Sequence, residues 1–232
     1  MHSLHSRILK VVLIQLRELA SSFKPSLLVF YLRNRRAVQD ALSNGIHPGR
    51  DLYKFYDFKF RWLAPIWLKR HRNYFSRKQR GFGEKAFHSV WQEIFTYFKP
   101  KTVLEIGVYR GQIVSLWQLI AKKNNLDIEV HGISPLQNSG DSVSRYVQID
   151  YESDIKQNFE KFHLNAPNIL KSFSTDLAAR ELFESRKWDL IYIDGSHDLE
   201  ITLQDYGLAI ANLSNNGVIC FDDSSLFLDF EI

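Results

Sequence analysis

The stretch Val103–Gly111, VLEIGVYRG, opens as a short apolar strand, and its continuation QIVSLWQLI (112–120) reads as a helix with Ile113, Leu116, Trp117 and Ile120 on one face. Where one becomes the other stand a carboxylate, Glu105, and two glycines four residues apart, Gly107 and Gly111. Glycines at that point let the backbone turn tightly and approach a ligand without a Cβ in the way. The following helix begins with free N–H groups. A dinucleotide pyrophosphate asks for G-x-G-x-x-G and no carboxylate aimed at it. E-x-G-x-x-x-G suits a ligand with an ammonium group instead.

From Lys101 onward strands and helices alternate. Segments 128–133, 168–173, 188–194 and 218–223 read as further strands, the last entered through a turn at Asn215-Asn-Gly217. Ile155, Phe159 and Phe162 mark a helix, a short one covers 176–184, and Leu199, Leu203, Tyr206, Ile210 and Leu213 mark another apolar helix face. Strands apolar on both faces and alternating with helices predict an α/β fold, a Rossmann-like, doubly wound parallel sheet of five strands. Ligands of such sheets bind beyond the carboxyl ends of the strands. Polar residues gather there: Glu105–Gly111, Ser134, Ser174–Asp176, Asp194–His197 and Asp222–Asp223.

VLEIGVYRG, together with WDLIYIDGSHD (188–198) and NNGVICFDDS (215–224), resembles the motifs of class I S-adenosylmethionine (SAM) dependent methyltransferases. The branch is that of macrocin-type and catechol/caffeoyl-CoA-type O-methyltransferases, and the resemblance runs from about Phe82 to the C-terminus. It implies methyl transfer from SAM to a hydroxyl of a small molecule or saccharide. It assigns Glu105, Gly107, Tyr109 and Gly111 to the methionine end of SAM, with Asp194 beside it. Ser134 falls on the ribose side, where the family usually has an acid and Asp150 is a substitute, and Ser174 and Thr175 edge the adenine. Asp194, Asp222 and Asp223 match the positions that hold a divalent metal, implying Mg²⁺; the other reading is that they cap neighbouring helices. His197 stands where the family places a Lys that takes the acceptor's proton, so His197 and Asp194 are the catalytic candidates, with helix capping the alternative for His197. Tyr74, Arg80 and His88, before the first strand, are weaker acceptor-site candidates.

The rest of the composition sets limits. Of 30 Lys+Arg and 26 Asp+Glu, residues 1–80 hold 17 and 4, which leaves 13 and 22 for residues 81–232. We therefore expect two regions, a basic, aromatic-rich, mainly helical extension over 1–80 and a SAM-binding domain over 81–232. Leu4, Ile8, Val11, Val12, Leu16 and Leu19 form an apolar stripe, suited to docking on the body, to dimerising, or to lying on a membrane surface. No nucleic-acid-binding motif accompanies the basic residues, and no nucleic acid is expected as partner. One cysteine, Cys220, excludes an internal disulfide, and no apolar run reaches the ~18 residues of a membrane span, so a cytoplasmic protein is expected. Only nine residues follow Asp223, so the two last strands usual for the fold are expected to be missing and the fifth strand to be a sheet edge. That leaves a second reading, a non-catalytic or degenerate SAM-binding fragment that acts as an interaction module.

Overall fold

The computed structural model describes residues 50–138 and 146–222. Five strands form one parallel sheet: β1 (Thr102–Ile106), β2 (Glu129–Ser134), β3 (Asn168–Lys171), β4 (Trp188–Ile193) and β5 (Leu213–Phe221), in the order β3-β2-β1-β4-β5. Helices α1 (Arg50–Phe58), α2 (Ile66–Phe75) and α3 (Lys85–Phe98) precede the sheet, with a π-helical turn over Lys59–Leu63. Helix α4 (Gln112–Asn124) follows β1, α5 (Tyr151–Lys161) follows β2, α6 (Leu177–Glu184) follows β3 and α7 (Leu199–Asn212) follows β4. The order reverses between β1 and β4, the place where an open parallel sheet leaves a crevice.

The two-residue period of the strands sends alternate side chains to opposite layers. Leu104 and Ile106 of β1, with Ile191 and Ile193 of β4, pack with Ala179, Phe183 and Ala209 of α6 and α7. Val103, Leu190 and Tyr192 point the other way, where Trp117 of α4 lies edge-on to Trp91 and Tyr192. All four helix-face residues read from the sequence of α4 belong to a buried or half-buried side of it, and Trp117 and Ile120 are fully buried.

Two expectations are corrected. The apolar row of α7 faces out: Leu199, Leu203 and Ile210 are each more than half exposed, and Tyr206 is exposed as well. The buried positions of α7 are Asp205 and Ala209, flanked by half-buried Ile201, Leu208 and Asn212. Asn215-Asn-Gly217 is no turn but part of β5. Pairing shifts between Trp188↔Leu213 and Leu190↔Val218, so the strand bulges, and a Cβ on Gly217 would come within 2.9 Å of the Trp188 carbonyl. Among the described residues β5 pairs with β4 alone and forms the edge of the sheet, as expected.

The chain divides into two compact units, one of Met1–Lys69 with Glu84–Val90, the other of Arg70–Gly83 with Trp91–Ile232. In the first, four aromatics of the basic segment, Phe55, Tyr56, Phe58 and Phe60, are buried: Phe55 and Tyr56 pack with Ala86, and Phe60 meets His88 edge-on. Its charges stay at the surface, as in the Arg61–Asp57 pair at 2.6 Å. The stripe at 4–20 and the cluster Arg33, Arg35, Arg36 lie outside the described residues. Among the described residues no helix is long and apolar enough to cross a membrane.

Candidate active site

The turn between β1 and α4 is built around Glu105. Gly111, at the N-cap with φ 77°, has no side chain to offer the helix. The Glu105 carboxylate takes that place and accepts a hydrogen bond from the Val114 N–H at 3.1 Å. Burial nevertheless pushes its pKa up to about 8, opposed by the Val114 bond and reinforced by the Asp222 charge. The carboxyl is thus largely protonated at neutral pH in the free protein.

The glycines serve the fold. At Gly107, φ is 99° and an added Cβ would lie 1.9 Å from the Asp194 carbonyl oxygen, so the missing side chain is what lets β1 and β4 end side by side. The same bond row closes the crevice floor: Gly107 N–H donates to Ile133 O (2.9 Å), Asp194 N–H to Ile106 O (2.9 Å) and Asp222 N–H to Ile193 O (3.0 Å). At Gly111 a Cβ would press on Phe159 and Ile155 of α5 at 3.2 and 3.3 Å. An added side chain would meet protein at both positions, while the Gly107 backbone itself lines the cavity described below.

Strand register assembles the acids. Glu105 is paired with Tyr192, and Tyr192 with Cys220, so all three face the same layer. Two residues further along β4 and β5 come Asp194 and Asp222, again on that side. Their carboxyls hydrogen-bond each other, and Tyr192 bonds to both. Burial first, then the charges of Asp222 and Glu105, hold Asp194 well above the usual carboxylate range. A cationic group placed beside Asp194 would oppose that rise.

Beside the acids a cavity of about 350 Å³ opens over the ends of β1 to β4. Gly107 and Tyr109 line it from β1, Ser134, Leu136 and Gln137 from β2, Phe173, Ser174 and Thr175 from β3, and Gly195, Ser196 and Asp198 from β4. Tyr146 and Tyr151 complete it and pack on Tyr109, each at 5.7 Å between ring centroids. Phe82 stacks on the other side of Tyr109 at 5.1 Å. The segment carrying Phe82 is tied down by Arg72, which donates to the carbonyls of Phe82 and Gly83, and by Arg110, which donates to Lys78 O at 2.9 Å and makes a two-pronged pair with Asp154. Aromatic surface, hydroxyls and one amide make a wall suited to a nucleoside.

Gly107, Tyr109, Ser134, Ser174 and Thr175 line the cavity; Glu105, Gly111 and Asp194 do not. The Ser134 hydroxyl accepts from Leu136 N–H at 3.2 Å. Asp150 caps α5, accepting from Ser153 N–H at 3.1 Å, and does not line the cavity. His197 is half-buried in the turn between β4 and α7, next to Asp198, the α7 cap that accepts from Glu200 N–H at 2.9 Å. Asp223 lies outside the described residues, and among those described no group of three metal-binding side chains has the geometry of a metal site. Of the weaker acceptor candidates, His88 is buried beside Phe60, while Tyr74 donates to Asn158 Oδ1 at 2.7 Å and carries the Arg80 guanidinium over its ring at 4.3 Å. Sequence reading missed Tyr192, Tyr146, Tyr151 and Asp205. Only Tyr192 left a signal, as the polar member of an otherwise aliphatic strand, LIYI.

The strand order and the crevice at its reversal define a class I methyltransferase fold. The family of that description matches directly: a Methyltransferase domain model covers residues 104–224, more than half the chain, and the chain belongs to that family. Among curated proteins it is 29% identical over 142 residues to an uncharacterized protein of Acanthamoeba polyphaga mimivirus, covering 59% of this chain and 58% of that one. The chain thus spans less than two thirds of that relative's length. Among solved structures, a putative caffeoyl-CoA O-methyltransferase from Staphylococcus aureus has TM-score 0.53 and 17% identity, over 76% of this chain and 74% of that one. An O-methyltransferase from Bacillus cereus, in complex with S-adenosylhomocysteine (SAH), has TM-score 0.52 and 14% identity, over 73% and 72%. At these identities the two structures speak for the fold.

Proposed function

We propose that the chain is a SAM-dependent O-methyltransferase acting on a hydroxyl of a small molecule or saccharide. One observation carries the reading: a nucleoside-sized cavity at the β1–β4 strand ends lies against the buried acids Glu105 and Asp194. SAM has both parts, an adenosine and a methionine end that carries a sulfonium and an ammonium beside its carboxylate. Charge complementarity sets its direction, with the ammonium and sulfonium toward Glu105, Asp194 and Asp222. The adenosine then extends toward β2 and β3, where Leu136 and Phe173 offer apolar surface and Ser174 and Thr175 offer hydroxyls. Ser134 and Gln137 are placed for the ribose.

SAM supplies an electrophilic methyl carried on sulfur. The chain's part is to hold the acceptor oxygen in line with that carbon and to receive the proton the hydroxyl gives up. His197, at the mouth of the β4–α7 turn, is the residue we assign to that proton. Asp194 and Asp222, with Asp223, offer hard oxygen donors of the kind that suit a divalent cation such as Mg²⁺. Bound there, Mg²⁺ would lower the pKa of an acceptor hydroxyl.

Calorimetric titration with SAH, in Mg²⁺ and again in excess EDTA, tests both layers. We expect SAH to bind with release of protons from the acid cluster, read as a dependence of the heat on the buffer's ionisation enthalpy. Absence of SAH binding removes the methyltransferase reading. Turnover that persists in EDTA removes only the metal. Binding with no hydroxyl acceptor turned over leaves a SAM-binding interaction module.

A further inference from the structure

Helix α7 holds a charge that the fold does not use. Asp205 occupies the centre of the buried stripe, one turn from Ile201 on one side and from Ala209 on the other, where an aliphatic residue would pack. It is 1% exposed, and neither carboxylate oxygen has a hydrogen-bond partner among the described residues. Its polar neighbour is Ser174, whose hydroxyl favours the charged form without reaching hydrogen-bond geometry, while burial pushes the pKa up to about 6. At neutral pH this is mostly a buried charge with no ion-pair partner among the described residues, an arrangement that destabilises a fold. Ser174 and Ile201 both line the cavity, so Asp205 stands directly behind its wall at the β3 end. Asn212, also on the inward side, shows the contrast: it satisfies itself on Leu208 O at 2.9 Å.

We propose that Asp205 is a positioning residue of the nucleoside pocket, fixing Ser174 so that the wall presents a hydrogen-bond acceptor and selects adenine by its exocyclic amino group. This rests on the SAM reading above. A serine hydroxyl has one O–H and two lone pairs. Asp205, ionised, can only accept, so it draws the Ser174 O–H away from the cavity. What remains toward the ligand is a lone pair. Adenine meets it with an N–H donor; hypoxanthine, with a carbonyl at the same position, meets it with a second acceptor.

The test compares SAH with S-inosylhomocysteine, its deaminated analogue, by calorimetry on the full chain. In the unsubstituted protein SAH should bind at least about tenfold more tightly, as for a site built around one polar pairing. In Asp205→Asn the amide can donate to Ser174 and free its O–H for the ligand, and the preference should shrink to about threefold or less. The thermal midpoint of Asp205→Asn should equal or exceed that of the unsubstituted protein, because a buried charge without an ion-pair partner is gone. Ser174→Ala should shrink the preference alike and make Asp205→Asn without further effect. An unchanged preference in Asp205→Asn, or a lowered midpoint with the preference intact, overturns the proposal and leaves Asp205 structural. Failure of the unsubstituted protein to bind SAH overturns the SAM reading and this inference together.

Discussion

Helices α4 and α7 follow equivalent strand ends, yet they spend their apolar residues oppositely. In α4 the apolar row is the buried row, and Trp117 and Ile120 are fully enclosed. In α7 the apolar row of Leu199, Leu203 and Ile210 is more than half exposed, and the buried row contains Asp205 and Ala209. Periodicity therefore identifies a helix and its two faces without saying which face turns inward. The layer decides. Helix α4 packs on β2, a strand with a neighbour on either side. Helix α7 packs on β4 and on the edge strand β5, beside α6, where small Ala209 and Ala179 allow close approach.

The comparison can be broken at several points, and the largest effect is expected where the two helices' strands meet. Gly107→Ala should lower stability by about 4 kcal/mol or more, because the new Cβ would lie 1.9 Å from the Asp194 carbonyl in a left-handed backbone conformation. Denaturant unfolding measures it, and a change under about 1 kcal/mol would mean that the β1–β4 ends relax freely. Loss of SAH binding by this variant would then report a disrupted floor.

Trp117→Ala in α4 is expected to lower stability by about 3–5 kcal/mol, as for a fully enclosed large aromatic. Leu203→Ala in α7 should stay within about 0.5 kcal/mol, as for an exposed position. Equal losses at the two sites would show that the outer face of α7 is covered in solution.

The pH dependence sharpens the same contrast, because groups on either side of α4 titrate in opposite senses. His71 bonds to Ser115 of α4 at 3.0 Å, and burial, then the Arg72 charge, lowers its pKa to about 3. It is neutral when folded, so stability present above its unfolded pKa of about 6.5 is lost as pH falls below that value. Glu105, raised to about 8, behaves in reverse: stability present below its unfolded pKa is lost as pH rises from about 4.5 to 8. The free protein should be most stable near pH 5 to 6, with slopes on the order of 1 kcal/mol per pH unit on either side. SAH should flatten the alkaline side if its ammonium charge meets Glu105 and Asp194. A midpoint that rises steadily from pH 5 to 8 without ligand would contradict the raised carboxyls.

At pH 5, where Glu105 keeps its proton in the folded protein, a small effect is expected from Glu105→Gln. The amide oxygen can still accept from Val114 N–H, and the carboxyl it replaces is already largely protonated at pH 7. Stability at pH 5 should change by no more than about 1 kcal/mol, while the loss as pH rises from about 4.5 to 8 disappears, so that at pH 7 the variant is the more stable protein. Loss of SAH binding with stability kept would give the charge a ligand-binding role.

Much of the fold was legible because it depends on local rules. Strand length, period and flanking glycines placed β1 to β4 to within a few residues, and five strand ends rich in polar residues marked one crevice. The β5 entry was misread because Asn-Asn-Gly has the composition of a turn; only pairing with β4 makes it a bulge. The glycine turn was read as room for a ligand. In the structure the missing side chains also make room for β4 and α5, which depends on residues 48 and 87 positions further along the chain.

Residue chemistry by itself determined that strand ends would carry acids and hydroxyls, since the composition of each loop is written in place. Which of them meet was decided only by tertiary structure. Glu105, Asp194 and Asp222 become neighbours because parallel pairing sets Glu105 against Tyr192 and Tyr192 against Cys220, and the two-residue period carries that alignment forward to the strand ends. A slip of one residue in either pairing would send an acid to the opposite face. Register is a property of packed strands, settled by which side chains bury together, and no single strand contains it.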